Sequence, residues 1–278
     1  MIPPPVFQPP TELDEYRLVR PLGRGGMGEV WLAHDTLLDR QVAVKFIAQV
    51  EPDATLRSRF FVEARAVARL SHPNVVTVHR VGELQRRPYI VSEFVRGNSL
   101  DKIEKPVPWP RLLPIAIGLA RGLAAAHRAG VLHRDIKPAN AILGDDGEVK
   151  LLDFGLAKLV DAGAAPTPAI VTPSPIMALP ADGLDVTVDL APPVPIDAPR
   201  ATTSDAPVVE SASETAGGAL FGTPLYMSPE AWRSEPATRA SDVYSLGAVL
   251  FELSTGRRPF SGTPGAELPA KVQSVDAP

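Results

Sequence analysis

The chain has 278 residues, a formal net charge of −4 and no cysteine. That length can bury the core of one large or two small lobes. The charge gives no general attraction to nucleic acid or anionic membrane, and the lack of thiols excludes disulfides and thiolate metal sites.

Residues 1–14 form a Pro-rich leader, expected to be extended and poorly ordered. It has neither a basic n-region nor a continuous apolar h-region, and no run of about 18 apolar residues follows, so no membrane segment and a cytoplasmic location are expected. Order is expected from Tyr16. Residues 16–19, 29–33 and 41–47 read as strands of a meander, the last two joined through a turn at 35–40. Over 55–70 the period changes: Leu56, Phe60, Val67 and Leu70, with Ala64 and Ala66 between them, predict an amphipathic helix that His72-Pro73-Asn74 ends. Strands near 75–81 and 89–94 complete a five-stranded lobe with one helix. Beyond Gly97 the pattern is mainly helical, with long helices expected at 111–129 and 240–254. The expected fold class is α+β in two lobes, 15–96 and 97–278.

One segment breaks the pattern. Residues 159–219 hold ten prolines and eight acidic residues against one basic residue, Arg200, and no aromatic residue. Such a composition cannot bury enough apolar surface to offset the entropy of ordering, so a disordered insertion is expected.

The chemistry concentrates in His133-Arg134-Asp135-Ile136-Lys137-Pro138-Ala139-Asn140 and in Asp153-Phe154-Gly155. A carboxylate beside a hydroxyl can take its proton, and Asn140 and Asp153 offer hard oxygen ligands suited to Mg²⁺ bridging nucleotide phosphates. Phosphoryl transfer is the reaction this set suggests. The octapeptide resembles the catalytic loop of eukaryotic-like protein kinases of the bacterial serine/threonine type, and the resemblance runs from Leu22 to Phe260.

The resemblance implies a two-lobed kinase fold in which Asp135 is the catalytic base and Asn140 and Asp153 hold Mg²⁺, or Mn²⁺ in its place. It makes Lys137 the residue that steadies the γ-phosphate, which favours Ser and Thr hydroxyls of protein substrates. Gly23-Arg24-Gly25-Gly26-Met27-Gly28-Glu29-Val30 fits GxGxxGxV between two strands, with no helix after it, so the match implies a loop folded over ATP. Lys45 in Val42-Ala43-Val44-Lys45 is then the lysine on the α- and β-phosphates, with Glu63 on the following helix as its expected partner. Leu22, Val30, Ala43 and Ile142 would wall the adenine slot, with the backbone of Glu93 and Val95 at the hinge. Ser92, small where the family often carries a bulky residue, implies a pocket behind the adenine.

By the same match, Arg134 would receive a phosphate on the activation loop, with Thr215 favoured over Ser211 and Ser213. Gly222-Thr223-Pro224-Leu225-Tyr226-Met227-Ser228-Pro229-Glu230 resembles the segment that shapes the peptide pocket, Thr223 bridging Asp135 and Lys137. Asp242 would anchor the backbone of the catalytic loop, and Val67, Val78, His133 and Phe154 would stack between the lobes.

Two departures stand out. Between Gly155 and Pro229 lie 73 residues, many more than the family pattern, at an extra closure cost of roughly 1 kcal/mol. After Phe260 the chain turns Pro- and Ala-rich where the family continues with helices, so the second lobe is expected to be incomplete. Glu230 would then lack its usual arginine, at a cost of about 3 to 5 kcal/mol for a buried charge. Exposed apolar surface on the helix at 240–254, or a partner covering it, is expected, and a catalytically impaired nucleotide-binding scaffold is the alternative to an active kinase.

Overall fold

The computed structural model describes residues 9–25, 28–48, 54–154 and 224–274. The insertion at 159–219, and with it Thr215, lies outside the described residues, as do Gly26, Met27, Gly155 and Thr223.

The first lobe is built on an antiparallel sheet in the order β1-β2-β3-β4-β6-β5. Its strands are β1 (Glu12–Leu13), β2 (Tyr16–Gly25), β3 (Gly28–Asp35), β4 (Arg40–Ile47), β5 (Val78–Leu84) and β6 (Arg87–Glu93). Alternation sets the faces: Val42, Val44 and Phe46 are fully buried, while Ala43 and Lys45 between them are half-buried on the opposite face. The turn between β3 and β4 forms because Asp35 accepts the amides of Leu37 and Leu38 at 3.2 and 3.1 Å on one oxygen and Arg40 Nε at 3.2 Å on the other.

The sheet has one strand more than expected, because the end of the leader is structured. Leu13 pairs with Tyr16, and both side chains are buried. Arg80 Nη1 donates to Glu15 at 2.7 Å, Arg80 Nη2 pairs with Asp14 at 2.9 Å, and Tyr89 OH reaches Asp14 at 3.2 Å. These partners lie between 65 and 75 residues away in sequence, beyond the reach of local patterning.

Helix α1 (Ala54–Ala68) turns Phe60, Ala64 and Val67 inward at i, i+4 and i+7. The loop after it is fastened to the second lobe: Asn74 Nδ2 donates to Val149 O at 2.8 Å, and Leu151 N donates to Asn74 O at 2.9 Å. In that lobe α2 (Trp109–Arg128) buries Leu112, Ile115, Leu119, Leu123 and Ala126 along one face. A small antiparallel sheet joins β7 (Gly97–Ser99), which precedes α2, to β8 (Ala141–Gly144) and β9 (Val149–Leu151), which follow the catalytic segment. Helices α3 (Pro229–Trp232), α4 (Arg239–Thr255) and α5 (Leu268–Ser274) complete the described fold. One continuous apolar cluster joins Phe60 and Val67 of α1 to Leu119 of α2, Phe154 and Leu253 of α4. Val243 of α4 is an exposed large apolar side chain. Among the described residues no helix is long and apolar enough to cross a membrane.

Candidate active site

The catalytic segment runs between α2 and β8, and its shape is imposed by one buried carboxylate. Asp242, in the first turn of α4, accepts the amide of His133 at 2.9 Å and that of Arg134 at 2.8 Å on separate oxygens, while His127 Nε2 lies 2.8 Å from Oδ2. Arg134 sits at φ +64°, an uncommon conformation for a side chain of that bulk, and these bonds hold it there. Burial pushes the Asp242 carboxyl up, but the hydrogen bonds from His127, His133 and Arg134 outweigh it and hold the group below its usual range.

His133 is wholly buried, and burial pushes its imidazole pKa down, so the ring is neutral near pH 7. It lies against the Phe154 ring at 4.7 Å between centroids. Val67 and Phe154 share the main apolar cluster, and Val78 packs against it.

Asp135 is buried, and its Oδ2 takes Lys137 Nζ at 2.7 Å and Asn140 Nδ2 at 2.8 Å. Asn140 Nδ2 also donates to the Asp135 carbonyl at 2.8 Å, made possible by the short 3₁₀ turn Pro138–Asn140. The carboxylate is therefore oriented from two sides, and the Asn140 amide nitrogen is spent, which leaves its oxygen as the ligating atom. Asp153, at φ +53°, places Oδ2 at 2.8 Å from Lys45 Nζ.

The expected pair between Lys45 and Glu63 is replaced by an exchange of partners. Lys45 meets Asp153, and Glu63 meets Arg134 Nη1 at 2.9 Å. Two cations and two carboxylates admit both arrangements, and the position of α1 over the catalytic loop selects between them. A cavity of about 280 Å³ lies beside the Glu63–Arg134 pair, lined mainly by apolar side chains including Val62, Val67, Leu132 and Phe154.

In the glycine-rich turn Gly23 and Gly25 face open space, so nothing obstructs the approach of a ligand to their backbone. Gly28 has a different reason to be glycine: at φ +131° a Cβ would come within 1.9 Å of Phe46 O. Arg24 pairs with Glu29 across the hairpin at 3.1 Å. Leu22, Val30, Ala43 and Ile142 are half-buried, as are Ser92, Glu93 and Val95. Glu93 has a structural task besides: its Oε1 accepts Thr77 N at 3.1 Å and pairs with Lys150 Nζ at 2.7 Å, and its own amide donates to Thr77 O at 2.9 Å.

Glu230 is not the stranded charge expected. It is half-buried and accepts Ser241 Oγ at 2.6 Å. Burial raises its carboxyl, but hydrogen bonds led by that of Ser241 hold it below the usual range. Ser241 also closes a capping box with Thr238 at the start of α4, so one hydroxyl ties the helix terminus to Glu230. Sequence reading passed over Ser241 and His127. The first was visible as a Thr-x-x-Ser helix start at 238–241, whereas His127 has no local signal, its partner being 115 residues away.

The comparisons agree with this architecture. A protein kinase domain family model matches residues 16–175 and 208–275, and the chain belongs to that family. It is 35% identical over 274 residues to a probable serine/threonine-protein kinase of Corynebacterium efficiens, covering 95% of this chain and 34% of the relative. It is 36% identical to serine/threonine-protein kinase PknA of Mycobacterium tuberculosis, covering 89% and 48%, and 34% identical to PknL of Mycobacterium bovis, covering 96% and 56%. The chain thus spans from about a third to just over half the length of these relatives. Among solved structures, the kinase domain of Mycobacterium tuberculosis PknI is similar in fold, with a TM-score of 0.57 at 24% identity over 90% of this chain and 78% of that one. Protein kinases as a family use ATP and a divalent metal.

Proposed function

We propose that the chain is an ATP-dependent protein kinase that transfers the γ-phosphoryl group to Ser or Thr hydroxyls of protein substrates. The observation that carries this reading is the Asp135 carboxylate, buried and aimed by Lys137 and Asn140, next to a lysine–aspartate pair at Lys45 and Asp153. Asp135 takes or orients the proton of the attacking hydroxyl. Lys137, within 2.7 Å of it, neutralises charge that develops on the transferred group. Lys45 contacts the α- and β-phosphates, and the half-buried Leu22, Val30, Ala43 and Ile142 flank the adenine.

The donor set fits Mg²⁺. The Asn140 amide oxygen and the Asp153 carboxylate are hard ligands, and two protein ligands completed by phosphates and water suit this ion; Mn²⁺ would fit the same oxygens. When bound, the metal supplies charge neutralisation between the phosphates. Thr223 and Thr215 belong to this reading as a contact to Asp135 and Lys137 and as the phosphate acceptor facing Arg134. Partners are proteins bearing Ser or Thr, and the site is cytoplasmic.

Transfer of radiolabelled phosphate from ATP, with Mg²⁺, by the purified chain and by Asp135→Asn tests the proposal. Loss of a general base typically costs about 10² to 10⁴ in rate. Nucleotide binding without any transfer by the unsubstituted chain would defeat it.

A further inference from the structure

Ser228 stands directly before α3, at the position where a serine hydroxyl ordinarily accepts an amide from the first turn of the helix. It makes no such bond here. The residue is only 1% exposed, and its Oγ has no hydrogen-bond partner among the described residues. Glu230 is near enough for the hydroxyl to help lower its carboxyl, but Glu230 Oε1 is taken by Ser241 at 2.6 Å, and Ser228 reaches Glu230 in no good hydrogen-bond geometry.

Ser228 lines a cavity of about 70 Å³ enclosed by three elements: the catalytic loop at Ile136, the turn before α3 at Tyr226, and the first two turns of α4 at Asp242 and Ser245. The short side chains of Ala231 and Ala237 leave the room. A water molecule takes about 30 Å³ in the liquid, so the space admits about two. Apolar cavities of this size stay dry, but this one is not apolar. Besides Ser228 it carries Ser245 Oγ, which lies 2.7 Å from Tyr226 O and 3.0 Å from Ser241 O as a donor and keeps lone pairs to accept with. Asp242 Oδ1, which accepts the Arg134 amide at 2.8 Å, has a second lone pair. Asp242 already meets His127 and two amides, and Arg134 stands in the same wall, so the site calls for no counter-charge. An uncharged molecule that both donates and accepts is what fits.

We propose that this cavity is a hydration site: ordered water bound by Ser228 Oγ bridges the residue before α3 to the first turns of α4, behind the catalytic loop. A buried hydroxyl without a partner costs free energy, and a bridging water recovers it. The bridge ties Ser228 to the helix that carries Asp242, the anchor of the His133 and Arg134 amides. It stands apart from the kinase reading, since no reacting group takes part in it.

Crystal structures of the unsubstituted chain and of Ser228→Ala test the proposal directly. The first should show water within about 2.5–3.0 Å of Ser228 Oγ and of Ser245 Oγ or Asp242 Oδ1, and the second should lose it. Thermal unfolding separates the two possibilities by sign. A hydrated hydroxyl contributes a hydrogen bond, so Ser228→Ala should lower the unfolding temperature by about 2–4 °C. A hydroxyl buried without water is a desolvated group with no partner, and its removal should leave the unfolding temperature unaltered or raise it. Ala237→Val, which puts added methyl groups into the cavity, should displace the water and lower the unfolding temperature more in the unsubstituted chain than in the Ser228→Ala background. No water at Ser228 in the crystal, or a Ser228→Ala variant at least as stable as the unsubstituted chain, would overturn the inference.

Discussion

The catalytic loop and the ion pairs of the first lobe differ in how their geometry is secured. Around residues 133–140 the bonds that shape the backbone and aim Asp135 are either short in sequence, as between Asp135, Lys137 and Asn140, or run to one buried anchor, Asp242; the Arg134 side chain alone of these reaches out to Glu63. At Lys45 and Glu63 the partners come from separate elements, β4 and α1, and each has found a different counter-ion from the one the motif implies. A geometry written into eight consecutive residues survives shifts of the surrounding elements. A geometry that depends on the placement of a helix can be exchanged for another of similar energy, because partly exposed ion pairs differ by only about 1 kcal/mol. The loop's geometry is thus local, and that of the small-lobe ion pairs depends on how α1 is placed.

Removing the anchor is the strongest test of that contrast. Asp242→Ala should lower stability in urea by about 3 kcal/mol, since two backbone amides and His127 lose a charged acceptor. The carboxyl is held below its unfolded value, so its contribution is present above about pH 4 and lost as the pH falls through the folded pKa; the variant should lack this part of the acid transition. A loss well under 1 kcal/mol would mean that the loop holds its shape without the anchor.

On the nucleotide side, Ser92 is small and half-buried, opposite Ala43 in the sheet. ATP analogues with a bulky N6 substituent should bind about tenfold more tightly to the unsubstituted chain than to Ser92→Met, the scale of filling an apolar space. Equal affinities in a competition assay would remove the inferred pocket.

His133 offers a smaller, pH-dependent test. Its imidazole titrates near 6.5 when unfolded and lower when folded, so stability is full above about pH 6.5 and declines as the unfolded state gains a proton below it. Replacement by Phe should reduce the stability change between pH 6.5 and 5.5, by at most about 1 kcal/mol for one proton bound by the unfolded state alone. Thermal unfolding across that range reads it, and an unchanged slope would place the titration elsewhere.

The exchange of partners is expected to show the smallest energy. A double-mutant cycle on Glu63 and Arg134 should give a coupling of about 0.5 to 1 kcal/mol, and one on Lys45 and Glu63 a value near zero in the absence of nucleotide. The reverse ranking would return the pair to the arrangement the motif implies.

Much of the fold was legible because it is local. The period-2 pattern at 41–47 and the helical spacing of Phe60 and Val67 reflect burial on one face, and both elements form where that pattern lies. The first strand was missed because Leu13 is held by Tyr16 and the acidic residues beside it by Arg80, whose distance along the chain no window spans. Within the candidate site, the grouping of Asp135 with Lys137 and Asn140 was implied by the resemblance of residues 133–140 to the kinase catalytic loop. The roles of Ser241 and His127 were not, since a serine at a helix start and a histidine near a helix end each have many ordinary explanations.

Residue order therefore decides the identity of the reacting groups, because turns and strands of a few residues fix which side chains stand together. The tertiary structure decides the partners that come from separate elements: which carboxylate faces Lys45 and what satisfies Glu230. Those choices depend on how separate elements pack, and packing is settled by burial summed over the whole core rather than by any short stretch of chain.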